Sequence, residues 1–301
     1  MTQFSRRRFL TIAAACAAVP ARAAPATARW QGRALGAGVS MQLAGLTGPE
    51  AAPIFAEVAR ELERLEAIFS LYQGESEISR LNRDGVLPAP SPEMLELLSL
   101  SGALHRATGG AFDPTVQPLW LALAAGNGAG NDIEAARARV GWPGLRFDAA
   151  AVRFTTPGMA ITLNGIAQGA VTDRIAALLR ARGLRDVLVD MGEIAAMGHR
   201  ADGADWSVGI ADPAGRIVRR MTLTDRALAT SAPLGTLLDA GTGQGHILNP
   251  VGGAPRRALV SVSAPGAALA DGLSTALCLL TPARGAEVLA QFPQARLETA
   301  I

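Results

Sequence analysis

Helical stripes fill the first two thirds of the chain and strand patterns crowd the last third, an order that points away from a regularly alternating βα architecture and towards an α+β fold. The clearest stripe is Ile54, Val58, Leu62, Leu65 and Phe69, spaced for one helix face, with Glu57, Arg60, Glu61 and Arg64 largely off it. It ends at Ser70, Leu71 and Tyr72. A second helix is predicted over residues 92–107, carrying Met94, Leu95, Leu97, Leu98, Leu100 and Leu104 before Thr108, Gly109 and Gly110 break it. A third is predicted over residues 171–182, closed by Gly183 as a left-handed cap, and residues 186–190 then read as a buried strand. Residues 32–43 alternate loosely as a first strand, with Gly36 and Gly38 marking a close backbone approach, and residues 125–131 read as a surface loop. Strands are predicted over residues 206–210, 219–223, 227–230 and 259–263, and a final helix over residues 268–280.

The N-terminus reads as an address label. Arg6, Arg7 and Arg8 precede an uncharged stretch, residues 11–20, that is too short to span a bilayer. This is the pattern of a twin-arginine leader, whose pathway carries proteins already folded. Ala21, Arg22 and Ala23 fit a small-x-small cleavage site. The expected organisation is a signal peptide over residues 1–23 and an exported, periplasmic domain over residues 24–301 delivered by the twin-arginine (Tat) machinery. A lipoprotein built on Cys16 is disfavoured, because Ala13 stands where a larger aliphatic residue is usual.

Composition removes several function classes. The formal charge of +2 turns negative once the four leader arginines are gone, and the chain has one Tyr and 4% aromatics, so a nucleic-acid platform is not expected. The chain contains no lysine, which excludes a lysine Schiff base, pyridoxal phosphate chemistry and a P-loop. Beyond Cys16 only Cys278 remains, inside an apolar run where a buried small hydrophobe is the reading, so neither a disulfide nor a cysteine metal site is expected.

Asp271 and Thr275 stand at i and i+4 on the last predicted helix, placing a carboxylate and a hydroxyl on one face. Both are hard oxygen donors of the kind magnesium takes in small number, filling its octahedron with water and phosphate oxygens. The plain alternative is an Asp that satisfies free helix N–H groups and a Thr that bonds back within its own helix. Glycine-rich turns at residues 108–113, 164–169 and 243–250 could hold a pyrophosphate through backbone amides, though glycine serves turns in any protein. His246 sits in the last of these as a phosphate-side donor, a proton carrier or a plain surface histidine. Tyr72 could stack on a planar ring, with core packing as its default.

Taken in order, these segments resemble the ApbE family of FAD:protein FMN transferases, from about Gly32 to Leu280. Phe69-Ser70-Leu71-Tyr72 with Ser76-Glu77-Ile78-Ser79-Arg80-Leu81-Asn82 resembles the first flavin motif, residues 108–115 the second, and residues 164–169 with Asp173 the third. Met191-Gly192-Glu193, Ala229-Thr230-Ser231, residues 245–250 and residues 270–276 complete the series. The resemblance implies an ApbE-like, T-fold-like α+β unit of mixed sheets and packed helices. It implies Mg2+ on Asp271, Thr275 and the Gly165 carbonyl. It implies FAD, as substrate, against Leu35, Tyr72, Ala111, Phe112, Asp113, Thr162, Gln168, Glu193, His246 and Ile247, with Asp271 and His246 in catalytic roles.

The chain departs from the family pattern at three places. Thr162 stands where Asp is common, Gln168 where Lys or Glu is common, and Asn249 where Asp usually precedes the proline. Thr162 and Gln168 keep hydrogen-bonding capacity but remove charge. The wording Thr-Leu-Asn-Gly-Ile-Ala-Gln-Gly over residues 162–169, with the leader, is most similar to the NosX branch, which flavinylates a NosR-type acceptor in nitrous oxide reductase maturation. The expected reaction attaches FMN to a Ser or Thr of an acceptor protein and releases AMP. The alternatives are an FAD pyrophosphatase giving FMN and AMP, and a non-catalytic flavin carrier.

Overall fold

The computed structural model describes residues 26–126, 130–239, 241 and 243–301. The expected leader, with Cys16 and the cleavage site, and residues 127–129 of the expected loop lie outside that description.

The segment expected as one first strand is a hairpin. Strands β1 (Thr27–Ala34) and β2 (Ala37–Ala44) are joined by Leu35 and Gly36, both at positive φ, 48° and 79°. Two such residues make the tight turn whose twist matches a hairpin, and a leucine at the first position hides it from a sequence reading. Helix α1 (Gly48–Phe69) buries Val58, Leu62, Leu65 and Phe69 as its stripe predicts. Helix α2 (Glu77–Asp84) escapes sequence prediction because eight residues carry only two buried apolar side chains, Ile78 and Leu81.

Strand β3 (Val86–Pro88) leads to α3 (Pro92–Thr108), which Gly109 ends in the left-handed conformation. Helix α4 (Gln117–Ala124) ends where the expected loop begins, and α5 (Gly130–Arg137) takes the last two residues of that loop. Strands β4 (Leu145–Phe147) and β5 (Ala151–Phe154) join β3 in a small sheet. Helix α6 (Ala167–Ala181) begins at Ala167 rather than Val171, so part of the glycine-rich third motif is its first turn.

Five strands follow: β6 (Val187–Asp190), β7 (Ile194–Met197), β8 (Trp206–Ala211), β9 (Ile217–Leu223) and β10 (Arg226–Ser231). After the short ribbon β11 (Leu237–Asp239) and β12 (Gln244–Gly245) come β13 (Val260–Ala264) and α7 (Ala267–Leu277). The sequence pattern predicts α7 as the last element, but α8 (Pro282–Ala290) and β14 (Arg296–Ala300) follow, and β14 forms one edge of the main sheet.

That sheet runs β1-β2-β6-β7-β10-β13-β14, and its strand pairs are antiparallel. The architecture is therefore α+β, with antiparallel sheets and packed helices. Strand alternation divides the side chains between two faces. Val39, Met41, Leu43, Val187 and Val189 join α1, α6 and α7 in the larger core. Leu188, Ile194, Ala196 and Leu228 point the other way, where Trp206, Val208, Ile210 and Leu223 of the β8–β9 hairpin cover them. Each fully buried Leu or Val contributes roughly 1.5–3 kcal/mol, so both layers hold the sheet. By the same alternation Ser40, Gln42 and Asp190 fall on the second face, where a cleft opens. Cys278 is fully buried, and burial pushes its thiol up to about 12. Among the described residues no helix is long and apolar enough to cross a membrane.

Candidate active site

The cleft encloses about 940 Å3 and is lined by residues from the β1–β2 hairpin, the second and third motifs, the β6–β7 turn, β10, the 245–250 turn and α7. All the positions nominated from sequence line it: Leu35, Tyr72, Ala111, Phe112, Asp113, Thr162, Gly165, Gln168, Glu193, His246, Ile247, Asp271 and Thr275. They span the chain from the first hairpin to the penultimate helix.

Asp271 lies on α7 and is 3% exposed. Its Oδ2 accepts the Gly169 amide from the first turn of α6 at 3.1 Å. It does not cap its own helix. That task falls to Asp173 on α6, whose two oxygens accept the Ala267 and Ala268 amides at 2.6 and 2.9 Å. Thr275 likewise turns outward from its helix, its Oγ1 lying 3.1 Å from Ser231 Oγ on β10. The plain alternative for the pair is thus not what the fold builds. Gly165 faces Thr275 closely: a Cβ there would lie 3.1 Å from Thr275 Oγ1.

Acidic groups crowd this end of the cleft. Burial pushes Asp271 up to about 7, with the nearby Asp173 charge adding to it and the Gly169 amide opposing it. Burial, then Asp271 and Asp190, hold Glu193 well above the usual carboxylate range, although its Oε2 accepts the Thr230 amide at 3.1 Å. Burial also pushes Asp190 up to about 6. A cation offsets such a cluster. Among the described residues no three His, Cys, Asp or Glu side chains form a metal-ligating group. A cation here would therefore draw on one carboxylate, the Thr275 hydroxyl and a backbone carbonyl, with water or phosphate for the rest, which is the donor set Mg2+ favours. The residues present fit that ion.

His246 is held by the preceding turn, residues 233–236. Its Nδ1 lies 3.1 Å from the Pro233 carbonyl and 3.2 Å from that of Thr236. Carbonyls only accept, so the proton sits on Nδ1 and Nε2 is left as an acceptor. Burial lowers the proton affinity of the ring, which keeps it neutral near pH 7.

The remaining positions form the walls. Tyr72 is 77% exposed and rests over Gly36, where a Cβ would lie 3.4 Å from its Cε2, so core packing is not its role. The Leu35 amide donates to Glu66 Oε1 at 2.7 Å, tying the hairpin turn to α1. The second motif is fixed by Thr108, whose Oγ1 donates to the Leu104 carbonyl and accepts the Phe112 amide. Asp113 lines the cleft but spends its oxygens on Thr115 and the Trp142 amide. Thr162 Oγ1 accepts the Asn164 amide at 3.2 Å. Gln168 packs against Gly192, at φ 101°, where a Cβ would fall 2.6 Å from its Nε2. The cleft also contains Asp190, Trp120, Arg29 and Gln31, to which sequence reasoning assigned no site role, and Asn164 and Ser231, which it placed in motifs without a role of their own. A charge ending the apolar run Val187–Val189 was the signal available for Asp190.

Residues 35–299 match the family model described as the ApbE family. This chain belongs to the ApbE family. It is 30% identical over 249 residues to the FAD:protein FMN transferase of Vibrio cholerae, spanning 77% of this chain and 75% of the relative. It is 28% identical over 295 residues to the FAD:protein FMN transferase of Salmonella typhimurium, spanning 89% and 82%. The solved flavin transferase ApbE from Vibrio cholerae shares the fold of this ApbE-family chain with a TM-score of 0.78 at 26% identity, over 90% of this chain and 92% of that one. The apo form of the Pseudomonas stutzeri flavinyl transferase ApbE gives 0.76 at 26% identity, over 90% of each.

Proposed function

We propose that this chain is an FAD:protein FMN transferase that attaches FMN to a Ser or Thr hydroxyl of an exported or membrane acceptor protein. One observation carries the reading: residues far apart in sequence, all nominated for flavin or metal, line a single cleft whose buried end is acidic and whose exposed lip carries Tyr72. The curated relatives above are enzymes with that name.

The acceptor oxygen forms a bond to the FMN-side phosphorus of FAD, the bridging P–O bond breaks, and AMP leaves with the electron pair. The enzyme's task is positioning and charge stabilisation. Asp271, Thr275 and the Gly165 carbonyl would hold Mg2+, which would neutralise pyrophosphate charge. His246, neutral and with Nε2 an acceptor, is suited to take the hydroxyl proton. Leu35, Tyr72 and Phe112 offer apolar surface to a planar ring system, and Thr162 and Gln168 offer uncharged hydrogen-bonding groups.

We further propose the finer assignment carried by residues 162–169 and the N-terminal arginines: a NosX-type protein, exported by the twin-arginine pathway to the periplasm, acting on a NosR-like acceptor. The test incubates the chain with FAD, Mg2+ and a candidate acceptor domain, and follows acceptor mass and AMP with an EDTA control. A mass gain of one FMN with matching AMP, lost in EDTA, supports the transferase. Free FMN and AMP with an unmodified acceptor would replace it with a pyrophosphatase, and tight FAD binding without AMP would replace it with a carrier.

A further inference from the structure

A run of hydroxyls behind the acidic end of the cleft has one direction in which all three of its contacts are hydrogen bonds. Ser274 Oγ lies 3.0 Å from the Asp271 backbone carbonyl, which can only accept, so the Ser274 proton is committed to it. Ser231 Oγ lies 2.7 Å from Ser274 Oγ. Each hydroxyl has a single proton, so Ser231 must be the donor in that pair. Ser231 Oγ also lies 3.1 Å from Thr275 Oγ1, and with its own proton spent it can only accept there. Thr275 therefore donates backward to Ser231, and its lone pairs face the cleft.

The geometry points to Ser231 and Ser274 as positioning residues that set the Thr275 hydroxyl as a pure acceptor towards a divalent cation. Ser274 is fully buried and Ser231 nearly so, which shields the chain from competing water. Both anchors are rigid: Ser231 ends β10, paired with β13, and Ser274 lies within α7. Without the Ser231 oxygen, the Thr275 proton is free to turn into the cleft and oppose a cation. Without the Ser274 oxygen, Ser231 can donate to Thr275, which has the same effect.

This inference rests on the proposed metal reading, and its test separates the two. Mn2+, visible by electron paramagnetic resonance, is titrated into the full chain with FAD present, and FAD binding is measured separately without metal. Partners behind metal ligands typically change affinity by about 10–100-fold. The comparison that isolates the hydroxyl is Ser231→Thr against Ser231→Val, which share a shape and differ in the donor. Ser231→Val and Ser274→Ala are expected to weaken Mn2+ binding by about tenfold or more. Ser231→Thr should stay within about threefold of the parent, and metal-free FAD binding should move little in any variant. Ser261→Ala, which removes a hydroxyl partner of Thr230 in the same sheet but outside this run, should leave Mn2+ binding unchanged. Equal Mn2+ affinity in the Thr and Val variants, or an equal loss in Ser261→Ala, overturns the positioning role. Failure of the parent chain to bind Mn2+ overturns the metal reading itself.

Discussion

Gly169 on α6 rests directly on the carbonyl of Ala267 at the start of α7: a Cβ there would lie 2.4 Å from that oxygen and 2.6 Å from the Ala268 Cα. The two helices carrying the acidic end of the site therefore meet backbone to backbone. In an exposed helix, replacing glycine by alanine gains about 1 kcal/mol. Here the clash is with backbone atoms that cannot rotate away, and overpacking of this kind costs about 1–3 kcal/mol or more. The clash wins. Gly169→Ala is expected to lower the melting temperature by several degrees, measured by circular dichroism, and to weaken cation binding because the Gly169 amide is what holds Asp271 Oδ2. A melting temperature at or above the parent's would show that α6 and α7 are not packed this closely.

Asp173 supports the same junction from the other side by receiving two amides of α7. Losing such a cap costs about 0.5–2 kcal/mol. Asp173→Ala should lower the melting point by about 2–6 °C in a chain of this size. Asp173→Asn retains one side-chain acceptor and should recover part of the loss. An Asp173→Ala variant with parent-like melting would remove the capping role.

How much of this was legible in the sequence follows from the kind of signal each element leaves. The stripe from Ile54 to Phe69 and the Asp271/Thr275 pair are local and periodic, so both were readable. The Leu35-Gly36 turn was not, because leucine at φ 48° is held by the hydrogen bond its N–H donates to the Glu66 carboxylate, a partner 31 residues away. Helix α2 is too short for periodicity, and β14 earns its place only by pairing with β13. The motif around Ala229-Thr230-Ser231 was visible as wording, whereas the direction of its hydroxyl bonds exists only once β10 meets α7. Asp113 was readable as part of the second motif, but its commitment to Thr115 and Trp142 was not.

Asp190 ends β6 with its carboxyl pushed up to about 6 by burial, against an ordinary 3.8. A raised carboxyl binds protons more tightly in the folded chain than in the unfolded one, so it favours folding below about pH 4. That contribution is lost as pH rises through about 6. Asp190→Asn keeps an oxygen to accept the Gly192 amide, a 3.2 Å bond in the parent, and removes the charge. The variant is expected to exceed the parent by about 1–2 kcal/mol at pH 8 and to match it near pH 4, discounting for partial solvent access. Denaturant titrations at the two pH values check this, and a difference of equal size at both would mean that charge is not the cause.

Asp271 separates function from stability. Its carboxyl, pushed up to about 7 by burial from an ordinary 3.8, costs the metal-free fold increasingly as pH rises from about 4 to about 7, so the sign is opposite to that of an ordinary structural residue. Asp271→Asn retains an oxygen for the Gly169 amide. At pH 8 with EDTA, this variant should melt at or above the parent's temperature. Added Mg2+ should raise the parent's melting point, since a ligand that binds only the folded state stabilises it, and should leave the variant's unchanged. AMP release from FAD in the presence of acceptor should fall by at least about 10²-fold in the variant, the scale lost when a group stabilising transition-state charge is removed. A variant that loses activity and stability together would make Asp271 a folding residue, and one that keeps Mg2+-dependent activity would remove it from the metal site.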